Sequence, residues 1–313
     1  MATMEERLEK QLGITGVKRY HDQGFKGRGI TILNHEAGTE HGAATSEILR
    51  KIAPEVTIIE ASVTSVIKNN KLASFDWRIN GEVYTFSQVM EEFKPDIINV
   101  SLRGEHSEIK EQVIKPYIDA GEVIVCNATG NFGADGVQGY YKSIALNIGS
   151  VGLNKGEVYL VPYSGRTKDK QEVSFVCFEE FLGGTSAACP YFAGMIALFL
   201  SRYKLKLSQE ELVEMIKPYC LRLGLDGEEW KYGNGLFILP DASAEEIGKK
   251  VGELRGTAGR FTDIDGTEWY AGAVENCVLE GIVEGYPDGT FRPEKYVTRA
   301  ELAAVIDRLI KRG

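Results

Sequence analysis

Residues 183–200 read GGTSAACPYFAGMIALFL. Tyr191, Phe192, Met195, Ile196, Leu198 and Phe199 leave no polar side to a helix over 186–203. A helix apolar all round is a buried one. Its first turn carries Thr185 and Ser186 after two glycines. The start of a helix has unbonded backbone N–H groups and a positive end-field. Both stabilise a developing oxyanion, and the glycines let another backbone approach. Ser186 is therefore read in two ways at this point, as a nucleophile or as an N-cap. Pro190 is expected within about the first turn, where its missing N–H is tolerated.

Upstream, apolar runs alternate with helical spacing. Strands are expected at 30–33, 56–63, 97–102, 122–128, 144–151, 158–163 and 173–178. Helices are expected near 86–93 and 107–120, and over 43–52, where Ala44, Ile48 and Ile52 share one face. β-branched, nearly continuous apolar strands between helices argue an α/β fold with a parallel sheet. Residues 65–85, with KNNK and RING, read as an excursion shaped as a hairpin.

Two further motifs stand at element ends. His41-Gly42-Ala43-Ala44 opens the helix after a loop, and only four histidines are present, at 21, 35, 41 and 106. General-base candidates are correspondingly few. Asn127-Ala128-Thr129-Gly130-Asn131 follows the strand EVIVC, just past the carboxyl end where open parallel sheets bind ligands. An Asn amide there can donate to an oxyanion. Taken singly, the histidine is equally a cap and the asparagine a turn residue.

The 313 residues amount to about two domains, and 43% hydrophobic with 26% charged residues is a globular composition. The formal net charge of −9 gives no basic footprint for a nucleic acid. There is no apolar run of about 18 residues for a membrane span. The first residues, MATMEERLEKQLG, show no apolar secretory h-region. Cys126, Cys177, Cys189, Cys220 and Cys277 are odd in number, widely spaced and without a CxxC pair. They fit neither a disulfide framework nor a zinc site. Cys126 and Cys177 are expected to be small buried hydrophobes, which a reducing compartment suits. No metal site and no cofactor is assigned.

The motifs together resemble the subtilisin-like serine proteases, or subtilases, over roughly residues 13–240. GITGVKRYHDQGFKGRGITIL is similar to that family's entry into its first core strand, and HGAATSEI to its histidine motif. IINVSLRG resembles the substrate-binding strand, CNATGNFG the oxyanion-Asn segment, GGTSAACPYFAGMIAL the serine motif and YGNGLFILPDA the closing segment. The resemblance implies a three-layer α/β fold around a mainly parallel sheet. It implies Ser186 as nucleophile and His41 as general base, with Asn131 and the Ser186 N–H as the oxyanion hole. It also implies a peptide substrate held by strand addition on Ser101, Leu102 and Arg103, with Gly130, Gly184 and Thr185 beside it.

Three departures qualify what the resemblance implies. The family's histidine-orienting aspartate is replaced by Asn34, in LNHEAGTEHG. An amide hydrogen-bonds but supplies no charge for the imidazolium. Either Glu36 serves as the acid, or Glu40 does, or the enzyme is impaired and acts as a binding or assembly pseudoenzyme. The segment from Asn34 to His41 is also short, and the chain shows no D-x-D-x-D-G calcium loop. Finally, no propeptide is recognisable.

After Gly233–Pro240 the composition changes. The catalytic domain is expected over 1–240, a polar helix tail and linker over 241–256, and a small helical unit over 257–313. In that unit Trp269, Ala273, Val274 and Val278 have helical spacing, and 285–289 form a turn. Thr298 and Glu301 form a capping box for a helix whose core face is Leu302, Val305, Ile306 and Leu309. FTDI, WYAGAV, GIVEGYPDGTFRP and VTRAE resemble an S-layer homology module. The resemblance implies binding to acidic cell-wall polysaccharide, with Arg299 as the main contact and Trp269 and Asp288 as secondary ones. It implies a cell-surface location as well, and a third reading as a wall-targeting protein.

Overall fold

A computed structural model describes residues 3–311 except 69–70, 103–107, 169, 181, 255–260, 265–269, 271–272, 275–276, 279–280 and 287. The chain divides into two compact units, Met1–Pro240 and Asp241–Gly313.

The first unit is built on one sheet. Its parallel core comprises β1 (Thr31–Asn34), β2 (Thr57–Lys68), β5 (Ile97–Val100), β6 (Ile124–Ala128), β7 (Leu146–Asn154) and β9 (Phe175–Phe178). β3 (Lys71–Ile79) and β4 (Glu82–Tyr84) continue β2 as antiparallel strands, so the excursion after residue 65 is the expected hairpin. β8 (Glu157–Leu160) folds back on β7, and the short β10 (Cys220–Leu221) and β11 (Leu236–Phe237) close the far edge. The order is β10-β11-β9-β7-β6-β5-β1-β2-β3-β4. From β1 the chain builds outward through β2, then returns to place β5 on the other side of β1. That reversal is the switch point at which an open α/β sheet forms its crevice.

The first unit's helices are α1 (Met4–Ile14), α2 (Val17–Asp22), α3 (Glu40–Ile52), α4 (Phe86–Glu92), α5 (Glu108–Asp119), α6 (Thr185–Tyr203), α7 (Gln209–Ile216) and α8 (Glu229–Tyr232). Strand alternation sorts the side chains into two layers. Leu33, Ile98, Val100 and Val125 cluster with Phe86, Val89 and Met90 of α4 and with Ile114 of α5. Helices α3 and α6 pack against each other, and α6 crosses β5, β6, β7 and β9. As its composition predicts, α6 is buried from Ala187 through Leu200. Phe192 stacks on Phe175 with ring centroids 5.0 Å apart, and Phe237 closes the cluster. Pro190 lies deeper than the sequence suggests. It is the sixth residue of α6, so its missing N–H leaves the Ser186 carbonyl without its usual helical donor.

Cys126 and Cys177 are buried, and burial pushes both thiols above their ordinary value. The segment expected as a helix tail and linker contains α9 (Ala244–Leu254), with Ile247 and Val251 buried. In the second unit residues 273–274 and 277–278 are helical, and Trp269 lies outside the described residues. α10 (Arg299–Ile310) begins with the expected capping box of Thr298 and Glu301.

Phe192→Ala removes a ring at the centre of the α6 layer. The expected loss is about 3–5 kcal/mol of the first unit's stability, read by chemical denaturation.

Candidate active site

The carboxyl ends of β1, β5 and β6 and the amino end of α6 meet at one edge of the sheet. Ser186 is the second residue of α6, and its Oγ donates to the Ser101 carbonyl at 3.0 Å. Among the described residues, no hydrogen bond joins Ser186 to His41. His41 is the second residue of α3, behind the Thr39 cap. Its Nδ1 lies 2.6 Å from Glu36 Oε2, and the two side chains are 37% and 8% exposed. A carboxylate only accepts, so this contact puts the imidazole proton on Nδ1 and leaves Nε2 as an acceptor. The hydrogen bond that His41 donates to Glu36 raises the His41 pKa above its ordinary 6.5, with partial burial opposing it and the Glu36 charge adding to it.

The loop that carries Glu36 passes across the first turn of α3. A Cβ on Gly42 would sit 1.7 Å from the Glu36 carbonyl oxygen. Glycine at 42 is thus a steric condition of the Glu36–His41 contact. Glu40 stands exposed at the start of α3 and makes no hydrogen bond to His41.

Asn34 is placed differently from the orienting role that its position suggests. It is 1% exposed, and its Nδ2 faces Gly42 O (3.2 Å), Thr45 Oγ1 (2.9 Å) and Ser46 Oγ (2.8 Å). Its Oδ1 accepts from Asn99 Nδ2 at 2.9 Å. The amide therefore joins β1 to the first turns of α3 and to β5, and it does not bond to His41. Asn99 Nδ2 also reaches Ser101 Oγ at 3.2 Å, which carries this polar seam to the end of β5.

Asn131 follows the turn after β6. Its Oδ1 accepts from the Thr185 N–H at 3.0 Å and lies 3.2 Å from Thr185 Oγ1. Thr185 Oγ1 in turn accepts from Gly130 N at 3.0 Å. Because the Thr185 N–H can only donate, Oδ1 is fixed on that side and Nδ2 is left to point elsewhere. Neither Asn131 Nδ2 nor the Ser186 N–H has a partner among the described residues. Gly184 has φ 75° and ψ 175°, a conformation confined to glycine, and a Cβ there would meet Asn131 Nδ2 at 2.6 Å. Glu179 holds this turn by accepting from Gly184 N at 3.0 Å and from Tyr163 OH at 2.6 Å.

A cleft of about 190 Å³ opens beside these groups. Ser101, Leu102, Gly130, Asn131, Thr185 and Ser186 line it together with Ala128, Phe132, Gln138 and Gly139. The sequence reading missed Phe132, Gln138 and Gly139. They lie in a loop without periodicity, and its glycines at 133, 136 and 139 were the available signal. Arg103 lies outside the described residues. No group of three or more His, Cys, Asp or Glu among the described residues is placed to hold a metal ion.

In the second unit Arg299 is exposed at the start of α10, with no hydrogen-bond or ion-pair partner among the described residues. Asp288 is engaged within its own turn. It accepts from Thr290 N (3.1 Å) and Thr290 Oγ1 (2.6 Å) and pairs with Arg292. These bonds hold its carboxyl down at about 2. Asp263 accepts from the Phe291 and Arg292 amides, each at 2.7 Å, and joins two segments of the unit distant in sequence.

Two family patterns match this chain. The pattern of the subtilase family matches residues 34–235, and that of the S-layer homology domain matches residues 260–303. Subtilisin DY of Bacillus licheniformis is 26% identical over 224 residues, 67% of this chain and 76% of its own length. Cell surface glycoprotein 1 of Acetivibrio thermocellus is 35% identical over 78 residues, 25% of this chain and 3% of that protein. This chain likewise spans 10% of the surface layer protein of Brevibacillus choshinensis and 12% of the middle cell wall protein of Brevibacillus brevis. Among solved structures, the prenylagaramide maturation protease PagA has a TM-score of 0.55 at 16% identity, covering 76% of this chain and 99% of its own. Fervidolysin from Fervidobacterium pennivorans has a TM-score of 0.56 at 13% identity, covering 74% and 44%. The fold is the subtilisin-like α/β fold. The chain belongs to the subtilase family and carries an S-layer homology domain toward its C-terminus.

Asn34→Asp tests the place of the amide. An aspartate loses the donor facing the Gly42 carbonyl and buries a charge. Burial raises that carboxyl's pKa, so the penalty is absent below its unfolded value near 3.9 and grows as pH rises above it. At neutral pH the variant is expected to lose about 2 kcal/mol or more in denaturant unfolding and to gain no activity.

Proposed function

We propose that the chain is a serine endopeptidase in which Glu36, in place of the family's aspartate, orients the histidine. The 2.6 Å contact between Glu36 and His41 carries this reading. Ser186 Oγ leaves the Ser101 carbonyl by rotation about χ1 and attacks the substrate carbonyl. Its proton passes to His41 Nε2, and Glu36 stabilises the imidazolium. The oxyanion takes the donors without partners, Asn131 Nδ2 and the Ser186 N–H. His41 then protonates the leaving amine, and water attacks the acyl-enzyme by the reverse sequence. Resting hydrogen bonds of this kind often tighten only when substrate is bound. The pseudoenzyme reading rested on Asn34, and the bonds Asn34 makes to α3 and β5 give that residue a structural reason to be an amide.

The extended substrate pairs with the end of β5 at Ser101, Leu102 and Arg103, with Gly130, Gly184 and Thr185 flanking the reacting bond. The domain layout proposed is a catalytic unit over 1–240 and a wall-binding module over 257–313. Arg299, a cation at a helix start, is the anion contact for acidic cell-wall polysaccharide. Trp269 is a secondary one. Asp288 belongs to the turn beside them by its bonds to Thr290 and Arg292. Such binding places the protein at the cell surface. No helix among the described residues is long and apolar enough to cross a membrane.

Casein or peptide-library hydrolysis, with fluorophosphonate labelling, tests the protease reading. The wild type is expected to label and cleave, and Ser186→Ala to do neither. Folded wild type that does not label would overturn it. Glu36→Gln is expected to lower kcat by roughly 10⁴-fold, the scale of losing a triad acid. The general base works neutral, so kcat/KM rises as His41 loses its proton. Glu36 holds that midpoint above 6.5, and Glu36→Gln is expected to move it to lower pH in the pH–rate profile.

Arg299→Ala addresses the module. Sedimentation with purified wall polymer is expected to fall at least about fivefold, and added salt is expected to weaken wild-type binding.

A further inference from the structure

The cleft beside Ser186 has walls of unequal freedom. Gly139 and Gly130 have positive φ, at 120° and 87°. A Cβ on Gly139 would lie 2.1 Å from Asn127 Oδ1, and Asn127 is buried with its Nδ2 facing Ala128 O, Gln138 O and Asn147 Oδ1. That side of the cleft can neither deepen nor carry a side chain. Leu102 and Ala128 are apolar, and Asn131, Thr185 and Ser186 belong to the reacting end. Gln138 is the remaining long polar side chain in the lining.

Its placement is rigid at the backbone. The Gln138 N–H donates to Thr129 O at 2.9 Å, and its carbonyl accepts from Asn127 Nδ2 at 3.0 Å. Both bonds tie it to the end of β6, two and four residues before Asn131. Its side chain crosses the face of Gly130, whose Cβ position lies 3.2 Å from Gln138 Cβ and 3.6 Å from Cγ. The side-chain amide itself has no hydrogen-bond partner among the described residues. It presents a donor and an acceptor to a cleft whose lining, among the described residues, carries no charged residue. An ammonium, guanidinium or carboxylate entering it would lose water with no opposite charge among those residues to replace it. An amide or hydroxyl would exchange water for the Gln138 amide.

We propose that Gln138 is the specificity-determining residue of this cleft, selecting an uncharged side chain that ends in an amide or hydroxyl. The selected side chain belongs to the residue that donates the scissile carbonyl, because the cleft adjoins both Ser186 and the Asn131 amide. This rests on the protease reading for its chemistry. Its selectivity is a matter of binding and is separable from turnover.

The test uses the full chain and peptides that differ only at that residue, as Gln, Tyr, Leu, Lys or Glu. Wild type is expected to cleave after Gln and Tyr with higher kcat/KM than after Lys or Glu. Gln138→Glu is expected to raise the Lys-to-Gln ratio by at least about tenfold, and Gln138→Leu to raise the Leu-to-Gln ratio. Ser186→Ala provides the second arm, in which Kd for the same peptides is measured with and without Gln138→Glu. If wild type cleaves nothing but the Kd ratios shift as stated, the protease reading fails and the assignment of Gln138 stands. Ratios unchanged by Gln138→Glu in both arms overturn the assignment, whether or not the protein cleaves.

Discussion

Helix α6 has no polar flank, and the structure follows from where such a helix can go. It lies against α3 and across β5, β6, β7 and β9, with its residues buried from Ala187 to Leu200. Burying that much apolar surface anchors the helix firmly. Its first turn is thereby fixed at the carboxyl edge of the sheet, where the polar ends of the strands gather. Ser186 and the amide of its own residue are held there by packing remote from them. The glycine conformation at 184 and the bonds of Thr185 to Asn131 and Gly130 then set the details within about a turn.

The histidine side shows how one polar position can change its work without moving. At the end of β1, a carboxylate among Gly42 O, Thr45 Oγ1 and Ser46 Oγ would face a backbone carbonyl with nothing to donate. An amide satisfies that carbonyl and accepts from Asn99 in addition. Asn34 thus secures α3 to two strands. Glu36, the proposed acid, lies two residues on, in a loop that the absence of a side chain at Gly42 allows across the helix start. The negative charge stands beside the imidazole on a short loop, and the buried seam remains neutral. A neutral seam avoids the desolvation cost that a buried carboxylate would carry there.

The second unit relies on a different economy. It has few large buried side chains among its described residues and is held by turn bonds: Asp263 to the amides of Phe291 and Arg292, Asp288 to Thr290 and Arg292, Tyr286 to Glu301, and Arg308 to Glu284. Among the described residues, Asp263, Glu284, Asp288, Arg292, Glu301 and Arg308 are engaged in this way. Arg299, which makes no such bond among the described residues, is the cation left at the surface of α10. The resemblance of motifs put Arg299 ahead of Asp288 as an expected contact, and the structure adds that Asp288 is engaged within its own turn.

Much was legible in the sequence because it depends on periodicity or on local chemistry. The apolar circumference of α6, the β-branched parallel strands, the hairpin after residue 65 and the capping box at Thr298 all follow from side chains near one another in the chain. The motif order also led to the family. The loop residues Phe132, Gln138 and Gly139 have no period, so their meeting in the cleft was hidden. Helix α1, the buried part of α9 and the depth of Pro190 within α6 escaped for the same reason, since each depends on where a boundary or a partner falls. By itself the sequence determined that a mainly parallel α/β sheet with a serine at a buried helix start would form, because hydrophobic pattern is a property of the chain, and its motifs resembled those of the subtilases. Only the tertiary structure decided that Glu36 and not Asn34 meets His41. Two residues on one short segment are equivalent in sequence, and the choice between them lies in which one the sheet and α3 enclose and which one the loop turns toward His41.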